Sequence, residues 1–274
     1  MKQYSAYSLK NITATLCALT GVTPPVNACR TPIHPVLDLA AQNGIEQVDR
    51  ILFFSPDAIG KWLLKKYHSH FLPALEIAPL EQPLDSIYPS VTPVCYATMF
   101  SGAMPDVHGI DHYVRPPVTI DTLFDAFTRA GKRCAMVAIR DSSDEIIFRQ
   151  RQLDVYSAES DAEAVEMTRR LIKEDRYDMI VCYQGDYDHI MHLTVPESAA
   201  SLEVMELNIR QFRELADYAK ACWKDHSILF TVSPDHGMHI DCQSGHGTHG
   251  SDMPYDMELI HLFGFQKRQE TGTL

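Results

Sequence analysis

Residues 179–192 read MIVCYQGDYDHIMH, and this stretch decides the fold prediction. Its first five residues form a continuous apolar run, which is typical of a parallel strand covered on both faces. The run gives way after Gly185 to a segment rich in Asp and His, in which Asp188 and His192 are four residues apart. The same order, a buried strand followed by acidic and imidazole side chains, recurs elsewhere in the chain.

Other apolar runs predict four further strands, at residues 51–54, 133–139, 228–232 and 259–265. Helical patterns lie between them, at residues 121–130, 162–173 and 196–223. This alternation predicts an α/β fold, a three-layer α/β/α sandwich with a mainly parallel central sheet. We expect one domain over residues 1–274, with residues 1–45 as a helical cover and no large cap domain.

Composition excludes several classes of protein. Of 274 residues, 45% are hydrophobic and 22% charged, as in ordinary globular proteins, and the net charge of −12 disfavours nucleic acid and anionic membranes as partners. The seven cysteines include no CxxC pair, which disfavours a thiolate zinc site. No apolar run reaches the roughly 18 residues of a membrane span, and the N-terminus lacks a secretory apolar core, so we expect a cytoplasmic protein.

Acidic residues and histidines collect at the predicted carboxyl ends of the strands, where α/β sheets bind their ligands. Carboxylate oxygen and imidazole nitrogen together suit zinc, manganese or a similar divalent ion. Helical spacing would place Asp188 and His192 on one face. Asp186, His189 and His246 are competing candidates, and unrelated surface histidines are the plain alternative. The favoured candidates are Asp57, Asp188, His192, Asp235, His236 and His249.

A second signal is the stretch PSVTPVCYATMFSG at residues 89–102. Thr92 is predicted to be the N-cap of a helix and Pro93 its first residue. Because helix N-termini bind phosphate through free N–H groups, a hydroxyl at this place is well positioned for phosphoryl chemistry. A threonine that only caps the helix is the alternative.

Residues 89–110, which end in Pro105-Asp-Val-His-Gly-Ile110, resemble the nucleophile segment of the nucleotide pyrophosphatases/phosphodiesterases, members of the alkaline phosphatase superfamily. The order of the Asp and His elements over residues 50–265 is also similar. The resemblance implies Thr92 as nucleophile and two metal sites, one of Asp188, His192 and His249, the other of Asp57, Asp235 and His236. The ions would be zinc, or else manganese or magnesium, which together outweigh three carboxylates and so attract an anionic substrate.

The chain departs from the family pattern at two places. Cys95 stands where the phosphodiesterases have an Asn that contacts phosphate, so we expect Cys95 to be a weaker substrate contact. Val195-Pro196 replaces the Gly-Pro that follows the central His motif. The sulfatase pattern Cys/Ser-x-Pro-x-Arg is absent, which disfavours sulfate esters.

The resemblance implies a two-metal hydrolase of phosphoesters that forms a covalent phosphothreonine at Thr92. It favours a phosphodiesterase or nucleotide pyrophosphatase with a small, nucleotide-like phosphorylated substrate. Three enzymes of the same superfamily are alternatives: a phosphomonoesterase, a phosphonate hydrolase and a phosphomutase. A non-catalytic metal-binding protein on the same fold is the alternative from another class.

Overall fold

The five apolar runs form strands of a seven-stranded sheet in the computed structural model, which describes residues 5–269. The strand order is β2-β9-β6-β1-β5-β3-β4. The strands are β1 (Arg50–Pro56), β2 (Leu80–Asp85), β3 (Cys134–Ile139), β4 (Asp154–Ala158), β5 (Met179–Gln184), β6 (Ile228–Val232) and β9 (Glu258–Gln266), and a separate short hairpin joins β7 (His239–Ile240) to β8 (Gly247–Thr248).

The pairing of the strands confirms the mainly parallel sheet. β1 lies between β5 and β6 and is parallel to both, while β3 is parallel to β5 and β4. β9 runs antiparallel to β6 and to β2. The carboxyl ends of β1, β5 and β6 therefore meet side by side at the centre of one edge of the sheet.

Both faces of the sheet are covered by helices, which confirms the three-layer architecture. Alternate residues of β1 serve the two layers, because Ile51 and Phe53 belong to one hydrophobic cluster and Leu52 and Phe54 to the other. The helices are α1 (Lys10–Thr20), α2 (His34–Gln42), α3 (Lys61–Lys66), α4 (Leu72–Leu75), α5 (Thr92–Ser101), α6 (Pro105–His108), α7 (Leu123–Arg129), α8 (Ser143–Phe148), α9 (Asp161–Glu174), α10 (Asp186–Leu193), α11 (Ala199–Cys222) and α12 (Pro254–Met257), and a 3-10 turn spans His68–Phe71.

All five predicted strands and all three predicted helices occur, with ends that differ by a few residues. The sequence prediction omitted β2 and β4, which are the two edge strands. Edge strands are partly exposed and carry polar residues, and β2 contains Pro83, so neither strand shows a continuous apolar run.

Helices α1 and α2 occupy the N-terminal segment that was predicted to be a helical cover. Ile12 and Leu16 of α1 are fully buried in the cluster that also contains Phe100 of α5, and Thr13 Oγ1 donates to the Met99 carbonyl at 2.8 Å. The segment thus packs on the helix that begins at Thr92. Within residues 5–269, none of the helices combines the length and the apolar character that crossing a membrane would require.

Candidate active site

The three central strands place acidic residues at one point. Asp57 directly follows β1, and its N–H donates to the Gln184 carbonyl at the end of β5 at 2.9 Å. Asp235 follows β6 by three residues, and α10, which carries Asp188, begins two residues after β5. The parallel arrangement of β1, β5 and β6 therefore brings together side chains that are far apart in sequence.

One group of side chains, which we call the buried triad, consists of Asp57, Asp235 and His236. A ligand atom from each lies within 4.8 Å of the other two, and the residues are at most 1% exposed. His236 Nε2 is 3.3 Å from Asp57 Oδ1 and 3.3 Å from Asp235 Oδ2. These two carboxylate oxygens receive no hydrogen bond from the described residues.

A second group, the outer triad, consists of Asp188, His192 and His249. It meets the same 4.8 Å criterion but is partly open to solvent, with the His192 side chain 40% exposed. Asp188 Oδ1 is 3.4 Å from Nε2 of both histidines and likewise accepts no hydrogen bond in residues 5–269. The rings of His249 and His236 stack with centroids 4.0 Å apart, so the two triads adjoin.

Backbone carbonyls orient all three imidazoles in the same way. His192 Nδ1 is 3.0 Å from the Gly247 carbonyl, His249 Nδ1 is 2.9 Å from the Ser90 carbonyl, and His236 Nδ1 is 3.1 Å from the Gly237 carbonyl. A carbonyl can only accept, so each Nδ1 carries the hydrogen and each Nε2 presents a lone pair to the carboxylates. Histidines that bind metals are commonly oriented in this way.

Burial, reinforced by neighbouring charges, governs the electrostatics of the site. Burial, reinforced by the charge of Asp188, raises the pKa of Asp57, and burial together with Asp57 raises the pKa of Asp235 well above its usual value. Burial and the neighbouring His236 lower the pKa of His249 to about 3, which keeps its ring neutral. His192, which is more exposed, has its pKa raised by its contact with Asp188.

Both triads consist of side chains that can bind a metal ion. In each triad, imidazole lone pairs and carboxylate oxygens without donors converge on one point, and such a group of acceptors is stabilised only by a cation or by protons. Three-residue sets of His nitrogen and Asp oxygen are the ligands of catalytic zinc sites. The donor set of both triads therefore fits a divalent ion.

Thr92 lies beside the buried triad. Its Oγ1 is 3.4 Å from Asp57 Oδ2 and 3.4 Å from His236 Nε2. The predicted role as N-cap is wrong, because the N-cap is Val91, which has extended backbone angles, and Thr92 is the first residue of α5. Since no side chain caps this helix, the Thr92 hydroxyl is directed to the triad rather than to the backbone of its own helix.

The competing candidates lie outside both triads. Asp186, His189 and His246 are exposed, and none of them belongs to a group of potential ligands in the described part of the chain. Cys95 is fully buried, and its thiol contacts Ser86 Oγ at 3.2 Å and the Ile87 carbonyl at 3.8 Å.

His108, the histidine of the Pro-x-x-His-Gly-Ile segment, links two parts of the fold by hydrogen bonds. His108 Nδ1 accepts the N–H of Ile110 at 3.2 Å, so its Nε2–H donates to Thr98 Oγ1 on α5 at 2.9 Å. Burial lowers the pKa of His108 to about 4, which keeps this arrangement neutral. The segment therefore fastens α6 to the helix that presents Thr92.

Two polar residues near the triads were not found from the sequence. Tyr183, at the end of β5, donates to Asp57 Oδ2 at 2.5 Å. Asp256 is fully buried and accepts hydrogen bonds from His239 Nδ1 and from Ser251. Tyr183 lies in an apolar run and was counted as core; its only sequence signal is its position directly before the Asp- and His-rich segment.

No protein-family model and no curated protein matches the chain, but solved structures do. Murine ectonucleotide pyrophosphatase/phosphodiesterase 5 aligns with a TM-score of 0.58 and 15% identity over 71% of this chain and 59% of that one. An inactive threonine-to-alanine variant of the same protein has been solved in complex with AMP. Phosphonoacetate hydrolase from Sinorhizobium meliloti 1021, in complex with phosphonoacetate, aligns with a TM-score of 0.51 and 21% identity over 70% of this chain and 56% of that one.

The soluble domain of lipooligosaccharide phosphoethanolamine transferase A from Neisseria meningitidis aligns with a TM-score of 0.52 and 11% identity over 81% of this chain and 78% of that one. All these proteins belong to the alkaline phosphatase superfamily, and the fold of the chain is the alkaline phosphatase-like fold. The chain spans 59% and 56% of the length of the first two proteins.

Proposed function

We propose that the chain is a two-metal hydrolase of phosphoesters in which Thr92 is the nucleophile and forms a covalent phosphothreonine. The observation that carries the proposal is the position of Thr92 Oγ1, 3.4 Å from both Asp57 and His236 of the buried triad. The hydroxyl is thus beside a set of side chains that suits a divalent ion and at the positive end of α5.

Each triad would hold one divalent ion. Asp57, Asp235 and His236 are the proposed ligands of one, and Asp188, His192 and His249 those of the other; zinc fits best, with manganese or magnesium as alternatives. When bound, such ions supply positive charge that favours the Thr92 alkoxide and compensates the charge of the phosphoryl group.

The residues of the chain then have distinct tasks. Thr92 Oγ1 gives its proton to solvent and forms a bond to phosphorus while the bond from phosphorus to the leaving oxygen breaks, and the leaving oxygen takes up a proton from water. Water subsequently cleaves the Thr92–phosphoryl bond, which releases the phosphate product and restores the hydroxyl. The positive end of the α5 dipole lies beside the place of the phosphoryl group, and the partly exposed outer triad leaves the site accessible to substrate.

The substrate that we favour is a phosphodiester, nucleotide-like in chemistry. Support comes from the resemblance of residues 89–110 to the phosphodiesterases and from the fold shared with a pyrophosphatase/phosphodiesterase of which a variant binds AMP. Phosphonate hydrolysis is the alternative that a structural similarity supports, because a phosphonoacetate hydrolase has the same fold. Phosphomonoesters and phosphoryl transfer within one molecule are further alternatives.

Four further expectations remain proposals. We propose that residues 1–274 act as one catalytic domain in the cytoplasm, with loops that select the substrate. Cys95 is three residues after Thr92 and thus on the same side of α5, which supports it as a substrate contact. Its burial against Ser86 argues for an indirect one.

A substrate screen tests the proposal. Protein freed of metal with EDTA is supplied with zinc, manganese or magnesium and assayed on bis-p-nitrophenyl phosphate, p-nitrophenyl phosphate and phosphonoacetate. We expect no turnover without metal, recovery with zinc or manganese, and faster hydrolysis of the diester. Equal activity in the metal-free protein would contradict the metal-dependent mechanism. Tight binding of two ions with no turnover of any substrate would instead favour a non-catalytic metal-binding protein.

A further inference from the structure

The register of the sheet places Tyr183 against Asp57. Ser55 of β1 is paired with Tyr183 of β5, and Asp57 follows Ser55 by two residues, so all three side chains emerge on one face. The pairing continues past the end of the strands, because the Asp57 N–H bonds to the Gln184 carbonyl. The Tyr183 hydroxyl then meets Asp57 Oδ2 at 2.5 Å in a buried environment.

The two oxygens of Asp57 have different surroundings. Oδ2 accepts the short hydrogen bond from Tyr183 and is also the oxygen nearest to the Thr92 hydroxyl, at 3.4 Å. Oδ1 accepts no hydrogen bond from the described residues and lies 3.3 Å from His236 Nε2. The phenol thus occupies one oxygen and leaves the other directed to the point where the buried triad converges.

We propose that Tyr183 is a positioning residue: its hydroxyl fixes the rotation of the Asp57 carboxylate so that Oδ1 alone serves as metal ligand, and it competes with Thr92 for Oδ2. The inference rests on the function proposed above. It has two consequences. Asp57 would bind its ion through one oxygen. Oδ2 would be a poor base for Thr92, because it already accepts a short hydrogen bond from Tyr183.

Packing holds the phenol in this position. The Tyr183 ring meets the Tyr96 ring edge to face, with centroids 5.8 Å apart. On another side it lies against Gly185, where an added Cβ would be only 3.1 Å from a ring carbon and 3.2 Å from the hydroxyl oxygen. The absence of a side chain at residue 185 therefore gives the phenol the space that it needs beside Asp57.

The test compares Tyr183→Phe with Tyr187→Phe. Tyr187 is a second buried tyrosine in the same segment, and its hydroxyl donates to the Pro196 carbonyl at 3.0 Å, with no triad residue as partner. Each variant loses one buried hydrogen bond, so both should lose a similar amount of stability. Only Tyr183→Phe should affect the buried triad, so a merely structural effect would appear in both variants.

Metal affinity is measured by calorimetric titration of metal-free protein with zinc. In an Asp188→Asn background, which disables the outer triad, we expect Tyr183→Phe to weaken zinc binding about 10- to 100-fold, as is usual when a hydrogen-bond partner of a ligand is lost. In an Asp235→Asn background, which leaves only the outer triad, the same change should alter affinity less than about twofold. Tyr187→Phe should leave both affinities unchanged.

Gly185→Ala provides an independent variant that keeps the hydroxyl. Its φ of −109° is accessible to alanine, so the backbone is not strained, but the new methyl group would displace the phenol. We expect it to weaken zinc binding by the buried triad in the same direction as Tyr183→Phe. Unchanged affinity in both Tyr183→Phe and Gly185→Ala would overturn the role of Tyr183. Absence of zinc binding in the wild-type protein would instead refute the proposed function itself.

Discussion

The hydroxyl oxygen of Thr92 lies 3.4 Å from Nε2 of His236, although 144 residues separate the two in the sequence. Thr92 is the first residue of α5 and His236 follows the central strand β6 by four residues. The contact joins the start of a helix in one layer to the carboxyl edge of the sheet. The proposed nucleophile therefore lies in direct contact with the buried triad.

Replacement of Thr92 should separate catalysis from stability. Thr92→Ala removes the hydroxyl but no cap, because α5 has no side-chain cap, so we expect less than about 1 kcal/mol of lost stability. Turnover should fall about 10³-fold or more, since the covalent step is lost. Thr92→Ser should retain part of the activity. Melting curves, zinc content and diester turnover measure these effects; near wild-type turnover in a metal-loaded Thr92→Ala protein would leave direct attack by water as the mechanism.

Asp188 and Asp186 form a matched pair on α10. Asp188 Oδ1 lies 3.4 Å from two histidines, whereas the Asp186 carboxylate is exposed and outside both triads. We expect Asp188→Asn to lower turnover about 100-fold or more and zinc content by one ion, with Asp186→Asn within about threefold of wild type. If Asp186→Asn were the more damaging change, the assignment of the outer triad would have to be reversed.

The same comparison applies to His249 and His246 in the last loop. His249 Nδ1 is held by the Ser90 carbonyl and its Nε2 faces Asp188, while His246 is exposed. His249→Ala should therefore weaken binding of one zinc ion about 10- to 100-fold, and His246→Ala should have no measurable effect. Zinc titrations of the two purified variants give the answer; equal losses would show that the loop as a whole, not His249, binds the ion.

The sequence predicted the central strands because each is buried on both faces and so consists of a continuous apolar run. β2 and β4 escaped prediction because edge strands such as residues 80–85 mix polar and apolar residues. The direction of β9 could not be predicted from the sequence either, since an apolar run has the same appearance whether its strand is parallel or antiparallel. Hydrogen bonding with β6 and β2 decides that direction in three dimensions.

The candidate site was likewise predicted in part. The structure brings the six predicted ligands together in two groups of three, and their roles as ligands stay a prediction. Thr92 was predicted to be the N-cap of α5 but is its first residue. A Thr-Pro pair is compatible with both arrangements, because Pro is accepted at either of the first two helical positions. Tyr183 was missed since a tyrosine at the end of a buried strand has the pattern of core, and only the register of β1 and β5 shows its hydroxyl beside Asp57.

Asp144 should make stability depend on pH. It is fully buried on α8, and burial raises its pKa from the ordinary 3.8 to about 7. Because the folded pKa is raised, the stability that Asp144 contributes is present in full below pH 4 and is lost as pH rises through 7, by up to about 4 kcal/mol. The free energy of unfolding of Asp144→Asn, relative to that of the wild type, should therefore be higher at pH 8 than at pH 5.

Urea unfolding of metal-free protein at the two pH values measures this difference. Asp141→Asn is the control, because its side chain is 74% exposed and only three residues away, and it should follow the wild type at both pH values. An equal change in stability between pH 5 and pH 8 for wild type and Asp144→Asn would show that Asp144 does not take up a proton in this range.

The stereochemical course at phosphorus tests the central claim most directly. Each in-line displacement inverts the configuration, so attack by Thr92 followed by attack of water gives two inversions and net retention. The measurement uses an isotopically labelled chiral phosphorothioate of the best substrate class from the screen, with the product configuration read by phosphorus NMR. We predict retention. Net inversion would contradict a covalent phosphothreonine, because it would mean that water attacks the substrate in a single step.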